Sequence, residues 1–314
     1  MDVRKAFRIF AVVTGVNISG PRKIMDKKKE SILYIDPMVD YGFKKIFKES
    51  GNKELLMRPL NVIFDLNIID IDIQESEHSG ETEEDRRACF DLYCMTADKR
   101  KFIIEVQLAS QPYFPERSLY YMTFPISESA PKDNGVLKKW NYNYPPVFFM
   151  GLLNFNMRHL VPELADSEQY IHLFSLRDEH TGELLTDRLR FAFLEVARFE
   201  KRKEDCVSFE DRFLFMMKNL PTFAKKPALW DDPYFEMLLC EAEYARMDRT
   251  QRRKYRNSLK MKYDYVNTVE YAEQRGREQQ ALETARRMLA KNREIGEIIE
   301  FTGLTEKQIK ALAA

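Results

Sequence analysis

Seven consecutive residues, Val147-Phe148-Phe149-Met150-Gly151-Leu152-Leu153, leave this chain few ways to fold. No polar side chain interrupts them, so they need apolar cover on both sides. A strand in the interior of a sheet, packed front and back, provides it. Tyr170 to Leu176 and Leu189 to Val196 read as further strands, separated by a His180-Thr181-Gly182 turn. Upstream, Ile69-Asp70-Ile71-Asp72-Ile73 alternates strictly, as a strand with one buried face does. Two more β-like runs, Cys89 to Met95 and Phe102 to Leu108, are joined by Thr-Ala-Asp-Lys-Arg, a hairpin connection. Helical spacing frames these strands. Val39, Phe43, Ile46 and Phe47 follow Pro37, Leu55 to Phe64 follow Gly51-Asn52, and a helix from Glu116 to about Ser129 follows Pro112 and Pro115. Helix, three strands, helix, strand implies an α/β fold with a mixed central sheet flanked by helices.

Beyond residue 205 only helical spacing remains, over Phe209–Leu220, Pro233–Met247, Thr250–Tyr265 and Val269–Lys291. From Arg246 to Glu294 fourteen Lys/Arg face seven Asp/Glu, a surplus of seven in a chain whose 50 basic and 50 acidic residues otherwise balance. Any polyanion-binding surface must therefore be local. Two short helices around Thr302-Gly303, the second capped by Thr305, close the chain. They resemble a helix-turn-helix in outline, but Glu306-Lys-Gln-Ile-Lys-Ala-Leu carries little positive charge, so protein contact is the expectation. The chain thus divides into an extension over 1–33, expected to be poorly ordered, an α/β domain over 34–204 and a helical region over 205–314. In the extension, Arg4, Lys5 and Arg8 before the apolar Ile9–Val16 loosely imitate a signal peptide. No A-x-A site follows, and Met25 reads as the natural start. No apolar run reaches the ~18 residues of a membrane span. Cys89, Cys94, Cys206 and Cys240 lack CxxC spacing and histidine neighbours, and His78, His159, His172 and His180 are scattered with no assigned role. A reduced, cytoplasmic protein with no membrane partner is expected.

Chemistry concentrates in the hairpin. Asp91 lies within Cys-Phe-Asp-Leu-Tyr and Glu105 within Phe-Ile-Ile-Glu-Val-Gln-Leu, and a carboxylate in such apolar runs is costly to bury unless paired or bound to metal. A three-residue loop, Ala97 to Lys99, would put Asp91 opposite Glu105 with Cβ atoms about 5 Å apart. A two-residue loop would instead set Asp91 against Val106 and send Glu105 to the other face. Carboxylates at that separation repel unless a cation lies between them. An all-oxygen donor set favours Mg²⁺ or Mn²⁺ over zinc, and such an ion promotes phosphodiester hydrolysis.

Asp91, a hairpin, then Glu105-x-Gln107 resembles the PD-(D/E)xK nuclease core, specifically its Rpn-like recombination-promoting nuclease, or nuclease family transposase, branch. Asp40-Tyr-Gly-Phe-Lys-Lys-Ile-Phe resembles the D-x-x-F-K-x-x-F signature of that branch, and Arg117-Ser-Leu-Tyr-Tyr its next helix. Pro146-Val-Phe-Phe-Met-Gly-Leu-Leu-Asn-Phe resembles its fourth core strand. Gly276, Met288-Leu289 and Ile298 to Leu312 resemble its C-terminal helices. The resemblance spans roughly 34 to 314. It implies a restriction-endonuclease-like αβββαβ core with added strands and a Mg²⁺- or Mn²⁺-dependent DNA endonuclease. Asp91 and Glu105 would be metal ligands, with the Val106 carbonyl completing the shell. Gln107 would position the attacking water where most of the superfamily has lysine, and Asp40 would be a further catalytic acid. Lys44, Gln111 and Arg117 would contact DNA. The helical C-terminal region would supply DNA affinity, partner binding or self-association as a homodimer. The alternative is a catalytically silent DNA-binding or interaction protein that retains the fold.

Overall fold

The structure is a computed structural model, and it describes residues 32–74, 77–78, 88–130, 141–164 and 167–313. The expectations for residues 1–31 and for most of the acidic stretch 75–85 lie outside the described residues. In chain order the elements are α1 (Asp40–Phe47), α2 (Glu54–Phe64), β1 (Ile71–Gln74), β2 (Glu77–His78), β3 (Ala88–Cys89), β4 (Leu92–Thr96), β5 (Lys101–Gln107), α3 (Phe114–Ser127), β6 (Val147–Leu153), β7 (Ile171–Ser175), β8 (Leu189–Glu195), α4 (Phe209–Asn219), α5 (Pro233–Ala242), α6 (Arg249–Ala290), α7 (Ile295–Thr302) and α8 (Glu306–Ala313).

A six-stranded mixed sheet runs β1-β4-β5-β6-β8-β7. Its centre, β5-β6-β8, is parallel, and β1, β4 and β7 pair antiparallel at the flanks. Every residue of β6 is buried, as its unbroken apolar sequence requires. One face packs Phe102, Ile104, Phe148, Met150 and Leu194 against α1, α2, α4, α5 and the start of α6. The other packs Ile103, Phe149, Phe191 and Phe193 against Phe114 and Met122 of α3. This is the mixed α/β sheet with a helical C-terminal region that the strand and helix patterns imply.

Local chemistry fixes the elements that matter for function. Pro59 interrupts α2 and cannot donate to the Leu55 carbonyl. The buried Tyr234 hydroxyl donates to that oxygen at 3.0 Å instead. Gly42 lets α1 lie on the preceding turn: a Cβ there would fall 1.9 Å from the Asp36 carbonyl oxygen, which is the physical reason for glycine in Asp-Tyr-Gly-Phe-Lys. Buried Asp36 accepts from Met38 N–H at 2.8 Å and pairs with Lys262 at 2.6 Å, while its own N–H donates to the Tyr255 hydroxyl at 2.8 Å. These contacts clamp α6 onto α1.

Three expectations need correction. The first strand begins at Ile71, and Ile69 is 81% exposed, because the Asn61 side chain bonds both N–H and C=O of Ile68 and holds the chain off the sheet there. The helix from Pro233 stops at Ala242, where Glu243 turns extended and Leu33 O accepts from Tyr244 N–H. The two helices expected over 250–265 and 269–291 are one helix of 42 residues, since 266–268 hold neither Pro nor Gly and Thr268 Oγ1 bonds back to Asp264 O. The terminal helices α7 and α8 fold onto its far end through Ala285, Ile298, Leu304 and Ile309. Gly303 takes φ +67 between them, and Thr305 and Gln308 form the cap. Among the described residues no helix is long and apolar enough to cross a membrane.

Candidate active site

The hairpin loop sets the geometry. Thr96 N–H bonds Arg100 O at 3.0 Å around a three-residue loop whose last residue, Lys99, takes φ +67, the left-handed position of this turn class. Leu92 therefore opposes Ile104 and Tyr93 opposes Ile103. One step further, Asp91 comes opposite Glu105. There the ladder gives way to side chains. Asp91 N–H donates to Glu105 Oε1 at 3.1 Å, and Asp91 Oδ2 accepts Val106 N–H at 2.8 Å. Val106 contributes its amide to this link, and its side chain packs into the opposite core.

Around this pair the structure draws together all the residues singled out in the sequence. From α1, Lys44 Nζ lies 2.7 Å from Asp40 Oδ1, an i,i+4 pair, and 3.9 Å from Asp91 Oδ1. Along β5, Gln107 shares a face with Glu105 and donates from Nε2 to Glu105 Oε2 at 2.7 Å. From α3, the Arg117 guanidinium donates to Gln107 Oε1 and to Gln111 Oε1. Arginine has donors only, so Gln107 must turn its oxygen toward Arg117 and its NH₂ toward the acids. Lys101 on β5 steadies α3 by donating to Pro125 O at 2.8 Å.

The electrostatics are unbalanced. Glu105 is 4% exposed, and burial followed by the neighbouring Asp91 charge pushes its carboxyl well above the ordinary range. Burial raises Asp91 too, against the pull of the Val106 amide and Lys44. Lys44 is held above its usual value: burial pulls it down, but Asp40 outweighs burial. A buried and a half-buried acid thus face each other with Arg117 acting on Glu105 and a lysine that is already committed to Asp40.

A divalent cation suits this donor set. Among the described residues no group of three or more His, Cys, Asp or Glu is placed to hold a metal. Mg²⁺ asks for less than that, since one or two carboxylates suffice when water and phosphate oxygens complete its shell. The crowding of Asp91 and Glu105 is the strain such a cation relieves. A cavity of about 1090 Å³ elsewhere, lined by Arg158, Tyr170, Arg198 and Lys201 among others, shares no residue with this centre.

A second buried constellation escaped the reading of the sequence. Glu195, fully buried at the end of β8, accepts from Met157 N–H at 2.5 Å and from Arg198 at 2.5 Å, and lies 3.0 Å from His172 Nε2. His172, given no role from the sequence, is 4% exposed and belongs to this cluster. The available signal was a carboxylate inside the apolar run Phe191-Ala-Phe-Leu-Glu-Val, the same signal that marks Glu105.

No curated protein and no solved structure matches the chain. The profile of the PD-(D/E)XK nuclease family transposases matches residues 37–272, three quarters of its length and the whole hydrogen-bonded centre just described. The chain belongs to the PD-(D/E)XK nuclease family transposases.

Proposed function

We propose that this protein is a Mg²⁺- or Mn²⁺-dependent DNA endonuclease with its centre at Asp91, Glu105 and Gln107. Family membership supports a nuclease-type function, and nucleases of this family generally use divalent metal ions on DNA. The observation that carries the finer reading is the under-compensated pair Asp91–Glu105 at the end of two adjacent strands, linked through Val106 N–H.

In this reading Asp91, Glu105 and the Val106 carbonyl would hold the ion, which when bound would supply Lewis-acid polarisation of a phosphoryl oxygen and lower the pKa of a water. Gln107 offers the attacking water a hydrogen bond through Nε2, and Arg117 keeps that amide from flipping. Glutamine brings no charge where most of the superfamily has lysine, so Lys44 and Arg117 provide the cationic surroundings for the phosphate. Gln111, on the far side of Arg117, lines the approach. Asp40 holds Lys44 in place and is the candidate for a further catalytic acid.

One observation favours a second reading. Both carboxylates already accept protein hydrogen bonds, as they would in a silent, DNA-binding relative that keeps the fold. Plasmid nicking separates the two. The purified protein with Mg²⁺ or Mn²⁺ should nick supercoiled DNA, and Asp91→Ala should lower the rate by at least about a thousandfold with an unchanged circular dichroism spectrum. A wild type that binds DNA yet never cuts with any divalent ion is the silent protein.

A further inference from the structure

The first four turns of α6 have a composition that helix stability does not explain. From Arg249 to Lys262 there are seven cations and no acid. The helix macrodipole disfavours cations near an N-terminus, and like charges three or four residues apart repel. Asp248 caps the helix but its first turn contains no acid. The second half of the same helix is built in the ordinary way, with Arg277 beside Glu273 and Arg287 beside Glu283.

The cations of the first half fall into two sets. Lys262 pairs with Asp36, Lys254 lies over the Tyr41 ring, and Arg252 bonds Ala245 O. These belong to the packing of α6. Arg249, Arg253, Arg256 and Lys260 do not. Their spacing of four, three and four residues places them in one stripe about 16 Å long. All four are exposed, and none makes an ion pair among the described residues, Arg256 reaching only the Tyr244 hydroxyl at 3.4 Å. Tyr255 and Ser258, which hold α6 to α1, occupy the opposite side of the helix.

We infer that this stripe is a docking surface for the phosphate backbone of duplex DNA, taking a flank of the substrate rather than the phosphate to be cut. The inference rests on the nuclease reading for its choice of polyanion. The stripe sits on the helix clamped to α1, the element that carries Asp40 and Lys44 into the candidate centre. Four unpaired cations held in a row on a rigid helix recover on DNA, through counterion release, what they cost the free protein.

The test is duplex binding by fluorescence anisotropy, in EDTA, across a salt series. Arg249→Gln, Arg253→Gln, Arg256→Gln and Lys260→Gln combined should weaken binding on the order of 10²-fold near 0.1 M salt. The slope of log K against log salt should fall by about 3 to 4. Because repulsion is relieved, the variant should melt no lower than wild type. A control set in the second half, Arg275→Gln, Arg277→Gln, Arg286→Gln and Arg287→Gln, should bind like wild type. Unchanged affinity and slope in the stripe variant overturns the inference, as does an equal loss in the control. Nicking is scored separately. A wild type that binds through the stripe but never cuts removes the nuclease reading and leaves the docking surface. A wild type that cuts, with a stripe variant that binds and cuts equally well, does the reverse.

Discussion

Glu105 and Glu195 are close to a controlled comparison within one sheet. Both are buried and both stand near the C-terminal ends of parallel strands, Glu195 in register with Gln107 through Leu153. Their surroundings differ. Burial alone would raise Glu195, but His172, the Met157 amide and Arg198 more than offset it, and its carboxyl lies below the ordinary range. Glu105 faces Asp91 instead, and its carboxyl lies above that range. Burial sets the penalty for charge, and the neighbours decide whether it is met internally. Glu195 is complete and holds the backbone at Met157 and β7 to β8. The Asp91–Glu105 pair is left wanting positive charge, as befits a place where charge arrives from outside.

The largest expected effect that would break this comparison is on stability. Glu195→Ala should cost about 3–5 kcal/mol in urea unfolding, since it strands a half-buried arginine and a buried histidine. Glu105→Gln should change stability by no more than about 1 kcal/mol, because losing the repulsion from Asp91 offsets the lost charge-assisted bonds. Similar losses in the two variants would mean that both glutamates are structural. Next in size is ligand linkage. Mn²⁺ at a hundred times its dissociation constant should stabilise wild type by about 2.7 kcal/mol, seen as a rise in melting temperature, and leave Asp91→Ala unmoved. An equal rise in the variant would place the ion elsewhere.

The smallest effect, in pH, carries the most telling sign. A lowered carboxyl, Glu195, contributes stability that is present above the unfolded pKa and lost as the solution is acidified. Raised carboxyls, Asp91 and Glu105, act oppositely. Their penalty is absent in acid and grows as pH rises above the ordinary carboxylate range. Stability of Glu105→Gln relative to wild type should therefore climb between about pH 4 and pH 8, while that of Glu195→Gln should fall as pH rises toward the ordinary glutamate pKa of about 4.3 and stay level above it. Curves of the same sign would refute the contrast.

Much of the candidate centre was legible because strand parity and loop length are local properties. Three loop residues and a period of two suffice to set Asp91 against Glu105, and i,i+4 spacing suffices for Asp40 with Lys44. The Arg117–Gln107 bond was less accessible, since it depends on how α3 docks across the sheet. Glu195 shows a different failure. Its sequence signal equalled that of Glu105, but its partners are scattered: His172 lies 23 residues upstream on a neighbouring strand, and the Met157 amide opens a short 3-10 helix after β6. Only the β7-β8 pairing brings them together. The single helix α6 reads as two in the sequence because pattern stops where burial stops. From Tyr263 to Thr268, across the expected break, every residue is exposed, as again from Glu270 to Gln280, so no apolar stripe marks the continuity.

That bare stretch of α6 works as a mechanical shaft between the sheet and the small terminal bundle of α7 and α8. Each residue of a helix advances 1.5 Å and rotates 100°. Inserting one residue between Glu270 and Gln280 would swing the bundle by more than a quarter turn while barely lengthening the reach. Inserting seven would extend the reach by about 10 Å and restore nearly the original bearing. Spacing and phase between the two ends of this protein can therefore be dialled independently, simply by counting residues.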